Sequence, residues 1–253
     1  MKTLGWAMNK KPENYETDFR TTNWMAELKR FLSAQSLREL FSVFLLLRWQ
    51  DVKDEENQFI AEFEGSEYVP LLPPALQMRN WVDLINLAEV TENINALASH
   101  IEWNNTKAFN AAGFSYLKHL GKPLRHIQSI DASLLMPVIE WLCSLQLTPL
   151  TAPKILSDIF ECILTETIDR HDIEYSSAES LSRLIAELIN PKPGESIYDP
   201  CFGTGNFLIS AWNLFQLRHS KEQNSSNTLQ VSGNDVNISA FLTGLTRIAL
   251  SGI

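Results

Sequence analysis

The segment Ser196-Ile-Tyr-Asp-Pro-Cys-Phe-Gly-Thr-Gly-Asn-Phe-Leu-Ile-Ser210 constrains this chain more than any other stretch. Its pattern switches from strand to helix across a loop that carries two glycines. Ser196 to Asp199 is short, β-prone and bounded upstream by Pro193-Gly194, as a buried strand is. Pro200 cannot donate to a ladder, so the strand is expected to end there. Gly203 and Gly205 flank Thr204. Glycines this close permit a tight turn and let a ligand approach the backbone. From Asn206 the pattern is helical, with Phe207, Leu208, Ala211, Leu214 and Phe215 as the apolar run. The start of that helix presents N–H groups without intrahelical acceptors. The segment reads as the first β–α turn of a doubly wound α/β sheet, where ligands bind beyond the strand ends.

The loop narrows the ligand class. Leu208 stands where the dinucleotide fingerprint has its third glycine, which disfavours NAD and FAD. The Gly-Lys-Ser/Thr ending of a phosphate-binding loop is absent. What remains is Asp199-Pro200, then Gly203-Thr204-Gly205, then Phe207-Leu208. That string resembles motif I of the amino-methylating DNA methyltransferases. It is most similar to the modification subunits of type I restriction–modification systems and related adenine-N6 DNA methylases. The resemblance implies a Rossmann-like domain that binds S-adenosyl-L-methionine through Asp199, Pro200, Gly203, Thr204, Gly205 and Asn206. Read without it, the two glycines are turn residues.

Flanking residues extend the resemblance. Leu229 to Asp235 has the pattern of a second strand ending in an acid, and such a carboxylate can accept both ribose hydroxyls of a nucleoside. In the family the matching acid does this for the adenosine moiety. The alternative for Asp235 is a solvated strand-end acid. Val236 to Ile253 is helical in pattern, and Ser220 to Thr228 is a polar surface loop. Upstream, Glu174-Tyr-Ser-Ser177 precedes a helical stretch from Ala178 to Asn190, with Leu181, Leu184, Ile185, Leu188 and Ile189 at helix spacing. Ser177 is a candidate cap for that helix. The family has Tyr/Phe-Thr-Pro here, contacting the methionyl end of the cofactor. Tyr175 and Ser177 are the matching residues, without the proline; Tyr175 reads equally well as a helix-entry staple. Cys201 reads as a small filler in the loop, not a nucleophile.

Charge and cysteine usage set the broad class. The chain of 253 residues carries a net charge of −9. Duplex binding rests largely on neutralising phosphates, so DNA is expected to be gripped through a complex and not by this chain alone. Cys143, Cys162 and Cys201 have neither disulfide nor zinc spacing, which fits a cytoplasmic protein. The most apolar run, Phe41 to Leu47, is seven residues long, well below the ~20 residues of a membrane span. Lys118, Lys122 and Arg125, with His119 and His126, make a mild basic cluster that reads as a solvated face.

The organisation is a helical N-terminal domain over residues 1–150, of which 1–20 form a loose arm, followed by the start of the cofactor domain over 151–253. Asn23 to Gln50 is helical, with a break near Ser33 to Ser36, and too apolar all round for a surface helix. Residues 51–80 are acidic up to Glu67 and then proline-rich, which reads as a linker. One or two helices are expected over Trp81 to Trp103, a turn-rich patch over Gly113 to Arg125, and helices over Ala132 to Gln146 and Lys154 to Arg170.

In the family, an Asn/Asp-Pro-Pro-aromatic motif accepts hydrogen bonds from the target amino group of a flipped adenine. Asn190-Pro-Lys-Pro193 and Leu72-Pro-Pro-Ala75 do not match it, so no catalytic residue and no metal site are assigned. Only 18 residues follow Asp235, none of them proline. The expectation is therefore part of an S-adenosylmethionine-dependent DNA adenine-N6 methyltransferase, truncated after the second strand and helix and inactive alone. Implied partners are DNA, specificity and restriction subunits, and a homo-oligomer. The alternatives are a non-catalytic truncated or split subunit serving as a protein-interaction module, and a methyltransferase of another substrate class.

Overall fold

The computed structural model describes residues 23–84, 86–103, 116–167, 178–219 and 228–253. The N-terminal arm, Tyr175 and Ser177 lie outside the described residues. The chain divides into two units, residues 1–163 and 164–253. No helix among the described residues is long and apolar enough to cross a membrane.

The first unit is helical and built on one long element. Helix α1 (Asn23–Phe31) is followed at Leu32-Ser33 by the break expected nearby, and α2 (Ala34–Glu64) begins. Ser33 caps α2 by accepting the Ser36 N–H at 3.1 Å. Residues 39 to 52 of α2 are buried on every side, as an all-round apolar stretch requires. Helix α3 (Leu87–Trp103) is followed by α4 (Gly121–Ile127) and α5 (Ala132–Ser144). Against α2 pack α1, α4, α5 and a 3-10 turn at Met78–Asp83, while α3 itself packs on α4, on α5 and on a 3-10 turn at Pro74–Leu76. A third 3-10 turn, Leu117–His119, precedes α4, so the turn-rich patch is partly helical. Helix α6 (Ala152–Thr167) closes the series and runs across the unit boundary.

The expected linker at residues 51–64 is instead the second half of α2. No glycine or proline interrupts it before Gly65, which ends the helix in the left-handed conformation at φ 69°. Val52, Asp54 and Ala61 keep one side buried while the intervening acids face water. The acidic composition masked a helix whose inward side is sparse. The proline-rich part, from Tyr68 to Leu76, is loop and 3-10 turn.

Helix α2 carries polar groups into this core, and they organise its neighbours. Arg48 donates from Nε to the Leu142 carbonyl (3.3 Å) and from Nη2 to the Leu145 carbonyl (3.5 Å), at the end of α5. A cation there also meets the negative end of the helix dipole. Gln50 accepts from the Tyr116 hydroxyl at 3.1 Å and donates to Asp54 at 3.1 Å. The Tyr68 hydroxyl also donates to Asp54. Asp51 Oδ2 accepts the Arg79 N–H at 2.8 Å, while Oδ1 has no hydrogen-bond partner among the described residues. The basic cluster read as a solvated face is partly tied down. Arg125 pairs with Glu102 at 3.0 Å and His126 meets Glu39 at 2.9 Å. Burial pushes the His119 imidazole down to about 4, and Lys118 adds to the effect.

The second unit is a parallel β–α–β arrangement. Helix α7 (Glu179–Ile189) leads to β1 (Ser196–Asp199), α8 (Asn206–His219), β2 (Gln230–Gly233) and α9 (Ile238–Leu250). The strands pair in parallel, with Ser196 opposite Gln230 and Asp199 opposite Gly233. Ile197, Phe202, Leu208, Ala211, Phe215 and Leu229 form the core with Ala186 of α7. Helix α7 packs on α8 through its small side, Ser182 and Ala186. Its apolar run of Leu181, Leu184, Ile185, Leu188 and Ile189 stays exposed. The cap falls on Ala178, one residue after Ser177, and makes no side-chain hydrogen bond. Among the described residues the sheet has two strands. The described residues thus show one parallel β–α–β unit.

Burial pushes the Asp51 carboxyl up to about 7, against the opposing pull of the Arg79 N–H and the Arg48 and Arg79 guanidiniums. Between about pH 4 and 7 the folded chain holds a proton there that the unfolded chain has lost. Stability from this group is full below that window and falls as pH rises through it. We predict that Asp51→Asn raises the Tm relative to wild type more at pH 8 than at pH 5, measured by thermal denaturation. A difference independent of pH would show that Asp51 is ionised throughout.

Candidate cofactor site at the glycine loop

The loop is suspended between the two strands by main-chain bonds that continue their pairing. The Asn234 N–H donates to the Asp199 carbonyl at 3.0 Å, and the Phe202 N–H donates to the Asn234 carbonyl at 3.0 Å. Asp199 ends β1, and its Oδ1 accepts the Cys201 N–H at 3.0 Å, folding the chain back at Pro200. Pro200 and Cys201 are exposed, so Cys201 does not fill the loop as expected. Gly203 and Gly205 have φ of 52° and 81°, the left-handed region that a side chain disfavours. The Gly205 N–H returns to the Phe202 carbonyl at 2.8 Å, and the Gly205 carbonyl accepts the Ile209 N–H at 3.0 Å as α8 begins.

Asp235 closes the loop from the far side. It lies two residues beyond β2, half-buried. Its Oδ2 accepts the Gly203 N–H at 2.8 Å, and its Oδ1 accepts the Asn237 N–H at 2.8 Å. Asn237 in turn caps α9 by accepting the Ala240 N–H at 3.0 Å. One carboxylate therefore couples the glycine loop to the start of the last helix. An ionised carboxylate offers about four lone-pair positions, so two protein bonds leave capacity for a ligand's hydroxyls.

Residues that sequence reasoning missed hold the loop from below. Arg247 of α9 donates from Nη1 to the Thr204 carbonyl at 2.9 Å and to the Asn206 side-chain oxygen. Phe202 packs edge-on against Phe241, with ring centroids 5.6 Å apart. Gly233 and Gly244 admit this ring. A Cβ on Gly233 would lie 2.9 Å from Phe202, and one on Gly244 would lie 2.7 Å from both the ring and the Gly203 carbonyl. A glycine within an apolar helix, where alanine is favoured by ~1 kcal/mol, was the available signal for Gly244. Arg247, the only basic residue from Val236 to Ile253, was the signal for the clamp.

The structure thus brings Asp199, Gly203, Thr204, Gly205, Asn206 and Asp235 into one hydrogen-bonded constellation, with Pro200 at its exposed turn. The site fits a nucleoside-bearing cofactor in its donor set: positive-φ glycines, a helix start and a carboxylate at the second strand's end. Among the described residues no group of acids, histidines and cysteines is arranged to hold a metal.

Residues 151–253, which include the glycine loop and both strands, match the family model described as N-6 DNA Methylase. The chain as a whole is similar to the modification subunit of type I restriction enzymes. The type I restriction enzyme EcoEI methylase subunit of Escherichia coli is 27% identical over 235 residues, spanning 87% of this chain and 45% of the relative. A crystal structure from Vibrio vulnificus YJ016, assigned as a modification subunit of a type I restriction enzyme, shares the fold with a TM-score of 0.62. It is 16% identical and covers 93% of this chain and 51% of its own. The chain spans about half the length of these relatives.

We predict that Gly244→Ala lowers the Tm although alanine favours helix. Forcing a methyl group into a packed contact costs about 1–3 kcal/mol, which exceeds the propensity gain. Thermal denaturation followed by far-ultraviolet circular dichroism checks this, and an unchanged or raised Tm would mean that Phe202 can yield.

Proposed function

We propose that this chain is the cofactor-holding part of a DNA adenine-N6 methyltransferase of a type I-like restriction–modification system, in a Rossmann-like domain that binds S-adenosyl-L-methionine. The observation that carries the reading is the Asp235 carboxylate bonded to the Gly203 N–H across parallel strands, within the segment that matches the methylase model. The cofactor, when bound, supplies an activated methyl group on its sulfonium. The chain's own residues bind and orient. The Asp199-Pro200 turn and the backbone of Gly203, Thr204 and Gly205 form the floor, and Asn206 opens the helix beside it. Asp235, while fixing the loop, would offer its spare lone pairs to the ribose hydroxyls. Tyr175 and Ser177 would meet the methionyl end. Proton handling at the adenine amino group is assigned to none of these residues, because no Asn/Asp-Pro-Pro-aromatic sequence is present in the chain.

The net charge of −9 supports a division of labour. Phosphate neutralisation needs cationic surface, so DNA is engaged through specificity and restriction subunits, in the cytoplasm, within a complex that leaves room for a second copy of this chain. A second reading, a non-catalytic subunit that acts as a protein-interaction module, is favoured by the exposed apolar run of α7.

Calorimetric titration with S-adenosyl-L-methionine separates the two. The methylase reading predicts measurable affinity. Asp235→Ala should then weaken binding by about 1.5–3 kcal/mol, the range for hydrogen bonds to a charged group. No heat at any concentration, in a chain shown to be folded, would favour the interaction module. An unchanged affinity in the variant would remove Asp235 from the site.

A further inference from the structure

The last three turns of α2 carry an apolar stripe on the outside of the helical unit. Phe59, Ile60 and Phe63 are 70%, 44% and 87% exposed. At ~100° per residue they fall within one ~100° sector of the helix. Ala61 points the other way and is buried, and the chain returns beneath it, with the Ser66 N–H bonded to the Ala61 carbonyl at 2.9 Å. The stripe therefore faces away from the protein's own core. Two exposed phenylalanines one helical turn apart are the pattern that an amphipathic helix lays into a partner.

The charge around the stripe identifies the partner's chemistry. Glu56 lies within the sector and Glu62 and Glu64 flank it, all exposed, with Glu67 just beyond. No lysine or arginine occurs between Asp54 and Met78. This field repels nucleic acid phosphates and anionic lipid. It also opposes a second copy of the same face, because a two-fold contact would set these acids against one another. We propose that the exposed end of α2, through Phe59, Ile60 and Phe63 within their acidic frame, is a docking surface for a basic amphipathic helix of a partner protein. The first half of α2 holds the unit together, and the exposed outer side of its second half presents the contact. This surface lies in the helical unit and is independent of the cofactor reading.

The test uses the whole chain and two labelled synthetic helical peptides, one of leucine and lysine and the other of leucine and glutamate, followed by fluorescence anisotropy. The lysine peptide is expected to bind, more weakly as salt is raised, and the glutamate peptide is not. Phe59→Ser with Phe63→Ser should weaken the lysine peptide at least ~10-fold, as truncating two anchor residues does. Both side chains are exposed, so circular dichroism and Tm should be unchanged. Glu56→Gln with Glu62→Gln should reduce affinity and flatten the salt dependence. Equal binding by the Phe double variant would overturn the proposal, since attraction would then be diffuse. So would equal binding of the glutamate peptide, or a concentration-dependent dimer in sedimentation that Phe63→Ser abolishes.

Discussion

The hydrogen bond from the Gly203 N–H to Asp235 fixes where the glycine loop sits, and most of the second unit follows from it. The two residues are 32 positions apart, and only the parallel pairing of β1 with β2 brings them together. Phe202, next in line, then points down into the core, where Gly233 and Gly244 leave room for its ring. Arg247 secures the loop through the Thr204 carbonyl. A backbone with two left-handed glycines would otherwise have many conformations to choose from. Here its height and direction are set by one carboxylate, one guanidinium and one ring.

The first unit solves a different problem, since its central helix buries charge. Arg48, Asp51 and Asp54 lie at 0–5% exposure in the middle of α2. Breaking one member of such a set leaves another uncompensated. Each reaches a separate neighbour: the end of α5, the 3-10 turn at Arg79, and Tyr68 beyond the helix's own end. The helix therefore specifies its neighbours by polar contacts as well as by apolar packing.

How much of this was legible depended on the range of the interaction. The strand, loop and helix around Gly203 were readable because turn chemistry and periodicity are local, and the acid at Asp235 stood out at a strand's end. Its bond to Gly203 was not, because it depends on strand register. The second half of α2 was hidden by its acids, since only Val52, Asp54 and Ala61 mark its inward side. The direction of α7 was hidden for the opposite reason. Its leucines and isoleucines identify a helix, but Ser182 and Ala186 are the residues that meet α8. Spacing shows that a helix has an apolar face, and only packing shows which neighbour meets it.

The three thiols occupy unlike surroundings. Cys162 is buried. Burial pushes the Cys143 thiol up to about 12, which keeps it protonated and unreactive toward electrophiles at neutral pH. Cys201 stands exposed at the turn between Asp199 and Phe202. The fold therefore leaves Cys201 as the most exposed of the three thiols, and it sits within the glycine loop. A thiol-reactive dye would mark this position ahead of Cys143 and Cys162, so the chain carries its own reporter of changes at the glycine loop.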